Sequence, residues 1–235
     1  GDMNGDGRSD IVRVDTLTAG QHVDVFTKLV PGAGFLMKNV YGLAPYSTEV
    51  GDLNGDGKLD IVVADDGSYR YLINSGNDFQ GQPNFTSFVI PQCIPGFRNS
   101  IRIADWDRDG RNDVIIADID ADLPSFCPLT GRRTQFYRNM YSGSNGGILV
   151  ETSASFTKPL TDAPLQAWFD AAPIDLDNDG WLDLVVGRCS GIEVWMNRQA
   201  GIDFTFPKGK PDFLEANGDS GETIFTVNLA VVGSG

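Results

Sequence analysis

One nine-residue pattern constrains this chain more than any other. It occurs four times, as Asp2-Met3-Asn4-Gly5-Asp6-Gly7-Arg8-Ser9-Asp10, Asp52-Leu53-Asn54-Gly55-Asp56-Gly57-Lys58-Leu59-Asp60, Asp105-Trp106-Asp107-Arg108-Asp109-Gly110-Arg111-Asn112-Asp113 and Asp175-Leu176-Asp177-Asn178-Asp179-Gly180-Trp181-Leu182-Asp183. Oxygen-bearing side chains stand at positions 1, 3, 5 and 9, glycine at 6, and an apolar run starts at position 10 in each copy. Alternate positions of a tightly wound loop turn their carboxylates inward, and a glycine at 6 takes the positive-φ turn that wraps the chain around an ion. The spacing predicts a hard divalent cation bound by side chains 1, 3, 5 and 9 and by the backbone carbonyl of position 7, that is of Arg8, Lys58, Arg111 and Trp181. Oxygen ligands without histidine or thiolate favour calcium, ahead of magnesium or manganese.

An EF-hand closes its loop with a bidentate glutamate at position 12. Here that position holds Arg13, Val63, Ile116 and Val186, so each loop closes with its aspartate at 9 and runs into a strand. A single Asp/Asn/Gly nonamer is often only a solvated turn, because Asp and Asn bond to their own backbone. Four copies in the same phase to an apolar run argue for four calcium sites.

At these residues the sequence resembles the calcium-binding repeats of integrin α-chains and of the FG-GAP/VCBS repeat proteins. The resemblance implies a β-propeller whose blades carry the loop between their first two strands, with calcium in a structural role. It covers all four loops and is weak between them.

Spacings between the repeats point the same way. The loops start at 2, 52, 105 and 175, and periods of that size with short β segments indicate propeller blades rather than a helical solenoid. After each loop comes an apolar strand (Ile11-Val14, Ile61-Ala64, Val114-Ala117, Leu184-Val186), whose unbroken apolar character predicts cover on both faces. An alternating strand follows (His22-Phe26, Tyr69-Ile73, Gln135-Arg138, Ile192-Met196), then a Gly/Asn turn and an outer strand such as Phe85-Ile90. Strands before the loops read at Thr48-Val50, Ser100-Ala104 and Phe169-Ile174. The fold class is therefore all-β, a β-propeller of four-stranded antiparallel blades. Repeats fall at 1–46, 47–99, 100–166 and 167–222, and 223–232 reads as a further strand able to close the ring. Either the four blades close on themselves or they belong to a larger, for example seven-bladed, propeller. Gly1-Asp2 already lies in a loop, which points to a piece of something longer with further repeats or domains.

Charge bounds the partners. The chain of 235 residues has a net charge of −14, and the loops hold fourteen of its 32 acidic residues. Four calcium ions would offset about 8 of those charges, so much of the acidity reads as ligand charge. Nucleic acid is excluded as a partner by the same balance, and no apolar run is long enough for a membrane-spanning helix. Cys93 and Cys127, in Pro-containing loops flanking the third repeat's first strands, are the favoured disulfide among three cysteines, which leaves Cys189 over. Asn84-Phe85-Thr86 is a glycosylation sequon. The sequon together with the calcium loops predicts an extracellular, secreted or cell-surface protein.

No enzyme chemistry is readable. His22 is the single histidine, Gly218-Asp219-Ser220-Gly221 reads as a turn, and no phosphate-binding loop or zinc spacing is present. Fourfold repetition argues against catalytic carboxylates, which work as one asymmetric pair. Trp195 reads as core, Trp106 and Trp181 as exposed loop residues, and Arg132, Arg133, Phe136, Tyr137 and Arg138 as a weak ligand-site candidate against a bland background of solvated loop charge. Three function classes remain: an adhesion or assembly module binding a protein or glycan ligand, a lectin, and the non-catalytic propeller of a larger secreted enzyme.

Overall fold

Fourteen strands and no α-helix make up the described part of the protein, which a computed structural model defines at residues 1–16, 21–28, 34–42, 45–65, 69–90, 100–118, 134–141, 148–153, 168–188 and 191–197. They form four antiparallel sheets in chain order. The first holds β1 (Ile11–Asp15), β2 (His22–Lys28) and β3 (Phe35–Tyr41). The second holds β4 (Pro45–Gly51), β5 (Asp60–Asp65), β6 (Tyr69–Asn77) and β7 (Pro83–Ile90). The third holds β8 (Ser100–Ala104), β9 (Asp113–Ala117), β10 (Gln135–Asn139) and β11 (Leu149–Glu151). The fourth holds β12 (Trp168–Ile174), β13 (Asp183–Arg188) and β14 (Gly191–Trp195). Each sheet is a meander of sequential neighbours, as in propeller blades. β4 already includes Pro45 and Tyr46, on the first repeat's side of the 46/47 boundary. The 223–232 segment, the three cysteines, Arg132, Arg133 and Gly218–Gly221 lie outside the described residues.

The nonamers join β4 to β5, β8 to β9 and β12 to β13, and the first one leads into β1. Strands β4, β8 and β12 are therefore the inner edges of their sheets, and they neighbour one another, with β1 beside β4. Blades stacked in this way bury apolar side chains between sheets. Period-2 alternation divides the post-loop strands between two cores. Ile61 and Val63 of β5 pack with Met3, Val23, Val25 and Tyr41, whereas Val62 and Ala64 pack with Ile101, Val114, Ile116 and Tyr137. One sheet further on, Ile115 and Ala117 join Phe136, Trp168, Leu184, Val186 and Trp195. Edge-to-face ring pairs span these cores, Tyr69 with Tyr137 at 6.1 Å and Phe136 with Trp168 at 5.9 Å between centroids.

Burial on both faces holds for β5 and β9, every residue of which is buried, but not for β1. In β1, Ile11 is 51 % exposed, because among the described residues its sheet packs against the second sheet on one face only. Arg13 stands on that outer face, where it pairs with Asp24 at 2.6 Å. At the inner edges, Arg102 of β8 bridges Asp170 of β12 at 2.6 Å and Glu49 of β4 at 3.6 Å, tying three blades together.

Candidate metal centres

Each loop is wound by its first aspartate. Asp2 Oδ1 accepts from the amides of Gly5 and Asp6 at 2.7 and 3.1 Å, and Oδ2 from that of Gly7 at 2.7 Å. Asp52 repeats the set with Gly55, Asp56 and Gly57 at 2.7, 3.2 and 2.8 Å. Desolvation works against ionisation of Asp2, but the amides of Gly7, Gly5, Asp6 and Asn4 outweigh it and hold its carboxyl below the ordinary value. Winding requires left-handed backbone at two positions, not one. The glycines at position 6 have φ of 80 to 86°, and position 4 is equally left-handed, at Gly5 and Gly55 but also at Arg108 (φ 57°) and Asn178 (φ 59°). Asn tolerates that region through its short polar side chain; Arg108 is held by stacking on Trp181, 5.3 Å from the ring centroid.

The position-9 aspartates are buried, with Asp60 and Asp183 fully shielded. Asp10 Oδ2 accepts from the amide of Met3 at 2.8 Å, and in the other three both oxygens are taken by backbone amides. Asp60 accepts from Leu53 at 2.9 Å and Asn74 at 2.8 Å, Asp113 from Trp106 at 3.2 Å and Asn139 at 2.7 Å, and Asp183 from Leu176 and Asn197, each at 2.8 Å. Burial nevertheless dominates and, with neighbouring loop carboxylates adding to it, pushes Asp60 up to about 6 and Asp113 up to about 7; Asp183 is raised for the same reason. Each oxygen keeps a second lone pair, so position 9 both staples the loop and remains able to ligate.

The amide donors Asn74, Asn139 and Asn197 belong to the loops' supporting shell, and the loop pattern does not reveal them. Their side chains donate to the position-8 carbonyl of their own loop and to the position-2 carbonyl of the preceding blade's loop. Asn74 reaches Met3 at 2.8 Å, Asn139 reaches Leu53 at 2.7 Å and Asn197 reaches Trp106 at 3.0 Å. Since the amide of each position-2 residue bonds its own position-9 aspartate, an unbroken line of buried hydrogen bonds connects all four loops. The corresponding residue of the first blade is Lys28, two after the Ile11-paired Phe26. A shared Asn two residues past the strand position opposite position 10 is the signal that identifies this set.

Position 2 also corrects the tryptophan reading. Trp106 is 3 % exposed and packs in the core with Trp168 and Trp195, as Met3 and Leu53 do in their own cores. A loop that points positions 1, 3 and 5 at an ion must point position 2 away, into the blade interface. Trp181, at position 7, is partly exposed as expected, and Trp195 is core.

The ligand set is acidic and convergent. Carboxylate oxygens of Asp105, Asp107 and Asp109, and of Asp175, Asp177 and Asp183, lie within 4.8 Å of one another. In the first two loops Asn4 and Asn54 replace the position-3 carboxylate, and their Oδ1 atoms accept from Asp6 and Asp56 at 3.2 and 3.1 Å. Position-7 bases pair with position-5 aspartates, Arg8 with Asp6 at 3.2 Å, Lys58 with Asp56 at 2.6 Å and Arg111 with Asp109. The fit to a cation is tested most directly in the fourth loop. Asp175 Oδ1 is buried and accepts no hydrogen bond, a costly state for a carboxylate oxygen that a divalent ion would relieve.

Compared with known families, residues 52–116 match the FG-GAP-like repeat. The chain contains an FG-GAP-like repeat. The matched stretch runs from the second loop through β9, and the first and fourth loops share the nonamer with the FG-GAP-like pair. No curated protein matches the chain significantly.

The remaining candidates separate clearly. Phe136 and Tyr137 are buried, and Arg138 is pinned to Asp107 and Asp109, so these three form no surface platform. His22 lies on the middle strand of its sheet, 3.1 Å from the buried Asp24. Asn84 is exposed on β7, its Oδ1 accepting from Lys38 at 2.6 Å. A cleft of about 110 Å³ between the second and third sheets is lined by Asn54, Tyr71, Ser75, Thr86, Phe88 and Tyr141 among others. No described segment is a helix long and apolar enough to cross a membrane.

Proposed function

We propose that this chain is a calcium-stapled β-propeller module of an extracellular protein, and that it binds another macromolecule through surfaces carried on a rigid blade scaffold. The observation that carries the calcium reading is the fourth loop, where a buried, unpartnered Asp175 oxygen converges with Asp177 and Asp183. Bound calcium neutralises carboxylates that otherwise repel, in loops whose Asp60 and Asp113 are already reluctant to ionise. Its role is structural, because the loops lie within blades, joining β4 to β5, β8 to β9 and β12 to β13. Melting in calcium and in excess chelator tests this: a marked fall in Tm with chelator is expected, and an unchanged melt refutes it.

A second reading, a lectin, is favoured by the cleft at the second and third sheets. Phe88, partly exposed and stacked on the buried Tyr71 at 5.1 Å, lies there with the Ser75 and Thr86 hydroxyls 3.0 Å apart, the pairing of aromatic face and polar edge that sugars bind. A glycan array separates the two readings: binding abolished by Phe88→Ala supports the lectin, and a blank array leaves a protein ligand.

A further inference from the structure

The first loop is held from outside its own sheet. Its position-3 residue, Asn4, meets the β6–β7 hairpin of the second sheet at two points: Asn77 Nδ2 donates to Asn4 O at 2.7 Å, and Asn4 Nδ2 donates to Gly81 O at 3.1 Å. A carboxamide has one oxygen end and one nitrogen end, so a carbonyl opposite Nδ2 leaves Oδ1 on the loop side, where it accepts from the amide of Asp6 at 3.2 Å. The turn that supplies this carbonyl is fixed independently of the loop. Asp78 Oδ1 accepts from the amides of Gln80 and Gln82 at 2.9 and 3.0 Å, its Oδ2 meets Lys38 Nζ of β3 at 2.8 Å, and the buried Gln82 donates through Nε2 to Thr27 Oγ1 of β2 at 3.2 Å. Asp107 and Asp177, at position 3 of the third and fourth loops, accept from Asp109 and Asp179 at 3.2 and 3.3 Å as Asn4 accepts from Asp6, but a carboxylate has no hydrogen to donate. Donation to the hairpin is what the amide of Asn4 adds.

We propose that the first cation site is shared between two blades: Asn4 offers Oδ1 to the ion and Nδ2 to the second sheet, so that the turn at 78–82 positions a ligand of the first loop and an ion in that loop fastens the turn. The proposal rests on the reading that the loops bind calcium. A carboxamide already fixed by Gly81 gives the ion its oxygen with no rotamer left to freeze, and by reciprocity an ion on Oδ1 holds the amide in the orientation that serves Gly81. Residue type alone does not make this link. Asn54, the position-3 amide of the second loop, accepts from Asp56 in the same way but has no hairpin partner among the described residues.

Hydrogen exchange read by mass spectrometry, in calcium and in excess chelator, tests this on the full chain and on Asn4→Asp and Asn54→Asp. Aspartate already stands at position 3 of the third and fourth loops, so each variant keeps a ligating oxygen, and only Asn4→Asp loses a donor to the hairpin. In the unmodified chain calcium slows exchange at 2–10 and, about tenfold, at 76–83. In Asn4→Asp the slowing at 2–10 persists while that at 76–83 falls below about twofold; Asn54→Asp behaves at 76–83 as the unmodified chain does. Slowing at 76–83 that is absent from the unmodified chain, equal in Asn4→Asp, or lost in Asn54→Asp as well overturns the proposal and leaves the calcium reading standing. No slowing at 2–10 in any of the three chains, with no calcium in their native mass spectra, overturns both.

Discussion

Asn139→Ala tests the inter-blade line of hydrogen bonds at its most buried link. Asn139 is fully shielded from solvent. Its Nδ2 donates to Leu53 O at 2.7 Å and to Asn112 O at 2.8 Å, and its Oδ1 accepts from the amide of Tyr141 at 3.0 Å. Truncation leaves two carbonyls and one amide without partners. At about 1 kcal/mol for each bond lost, and more where no water reaches the abandoned group, the expected loss is about 3 to 4 kcal/mol. Asn77→Ala is the matched control, since Asn77 donates to Asn4 O across the same kind of blade junction at 2.7 Å, but at the surface, where water replaces it. That loss is expected within about 0.5 kcal/mol. Urea unfolding in saturating calcium, followed by tryptophan fluorescence, reads both, with an unchanged m-value showing that only stability moved. Equal midpoints for the two variants refute the claim that the buried asparagines hold the blades together.

pH offers a second test, with a sign opposite to that of most acidic proteins. Asp60 and Asp113 have folded pKa values near 6 and 7, above the ordinary 3.8, so their contribution is full at low pH and is lost as pH rises through 6 to 7. In chelator the chain therefore gains up to several kcal/mol between pH 8 and pH 5, at about 1.4 kcal/mol for each tenfold difference in proton affinity between the folded and unfolded chain; in calcium, which needs ionised ligands, the trend reverses. Melts at both pH values with and without calcium check this, and a metal-free chain that melts lower at pH 5 contradicts it. Asp175→Ala, which removes the ligating oxygen altogether, lowers the calcium count in native mass spectrometry from four to three, while a count of four shows that Asp175 is no essential ligand. Trp106→Ala empties a core position and costs about 3 to 5 kcal/mol in denaturant unfolding, against near-neutrality if the ring were solvated.

The loops were legible because every contact that winds them is local. Asp2 and Asp52 meet amides three to five residues ahead, so identity at fixed spacing suffices. The strands after them were legible for a related reason, since an unbroken apolar run has few places to go except between two layers. Even there the inference failed at β1, because whether a second layer covers a strand is a property of the assembled sheets and not of the strand.

Trp106 shows where local reasoning ends. A tryptophan among four aspartates reads as a surface residue, yet the turn that aims its neighbours at one point aims it at the neighbouring blade. The asparagines and Arg138 are further removed. Asn74, Asn139 and Asn197 bond to carbonyls 71 to 91 residues away, and Arg138 reaches a loop on the far side of a chain segment more than twenty residues long. By itself, the sequence determined the turn chemistry, the fourfold repeat and the all-β blades, because those are written in local turn residues and in the period-2 apolar pattern of each strand. Which faces are covered and how one loop is tied to the next were decided by the stacking of blades, which brings together residues that no sequence spacing relates.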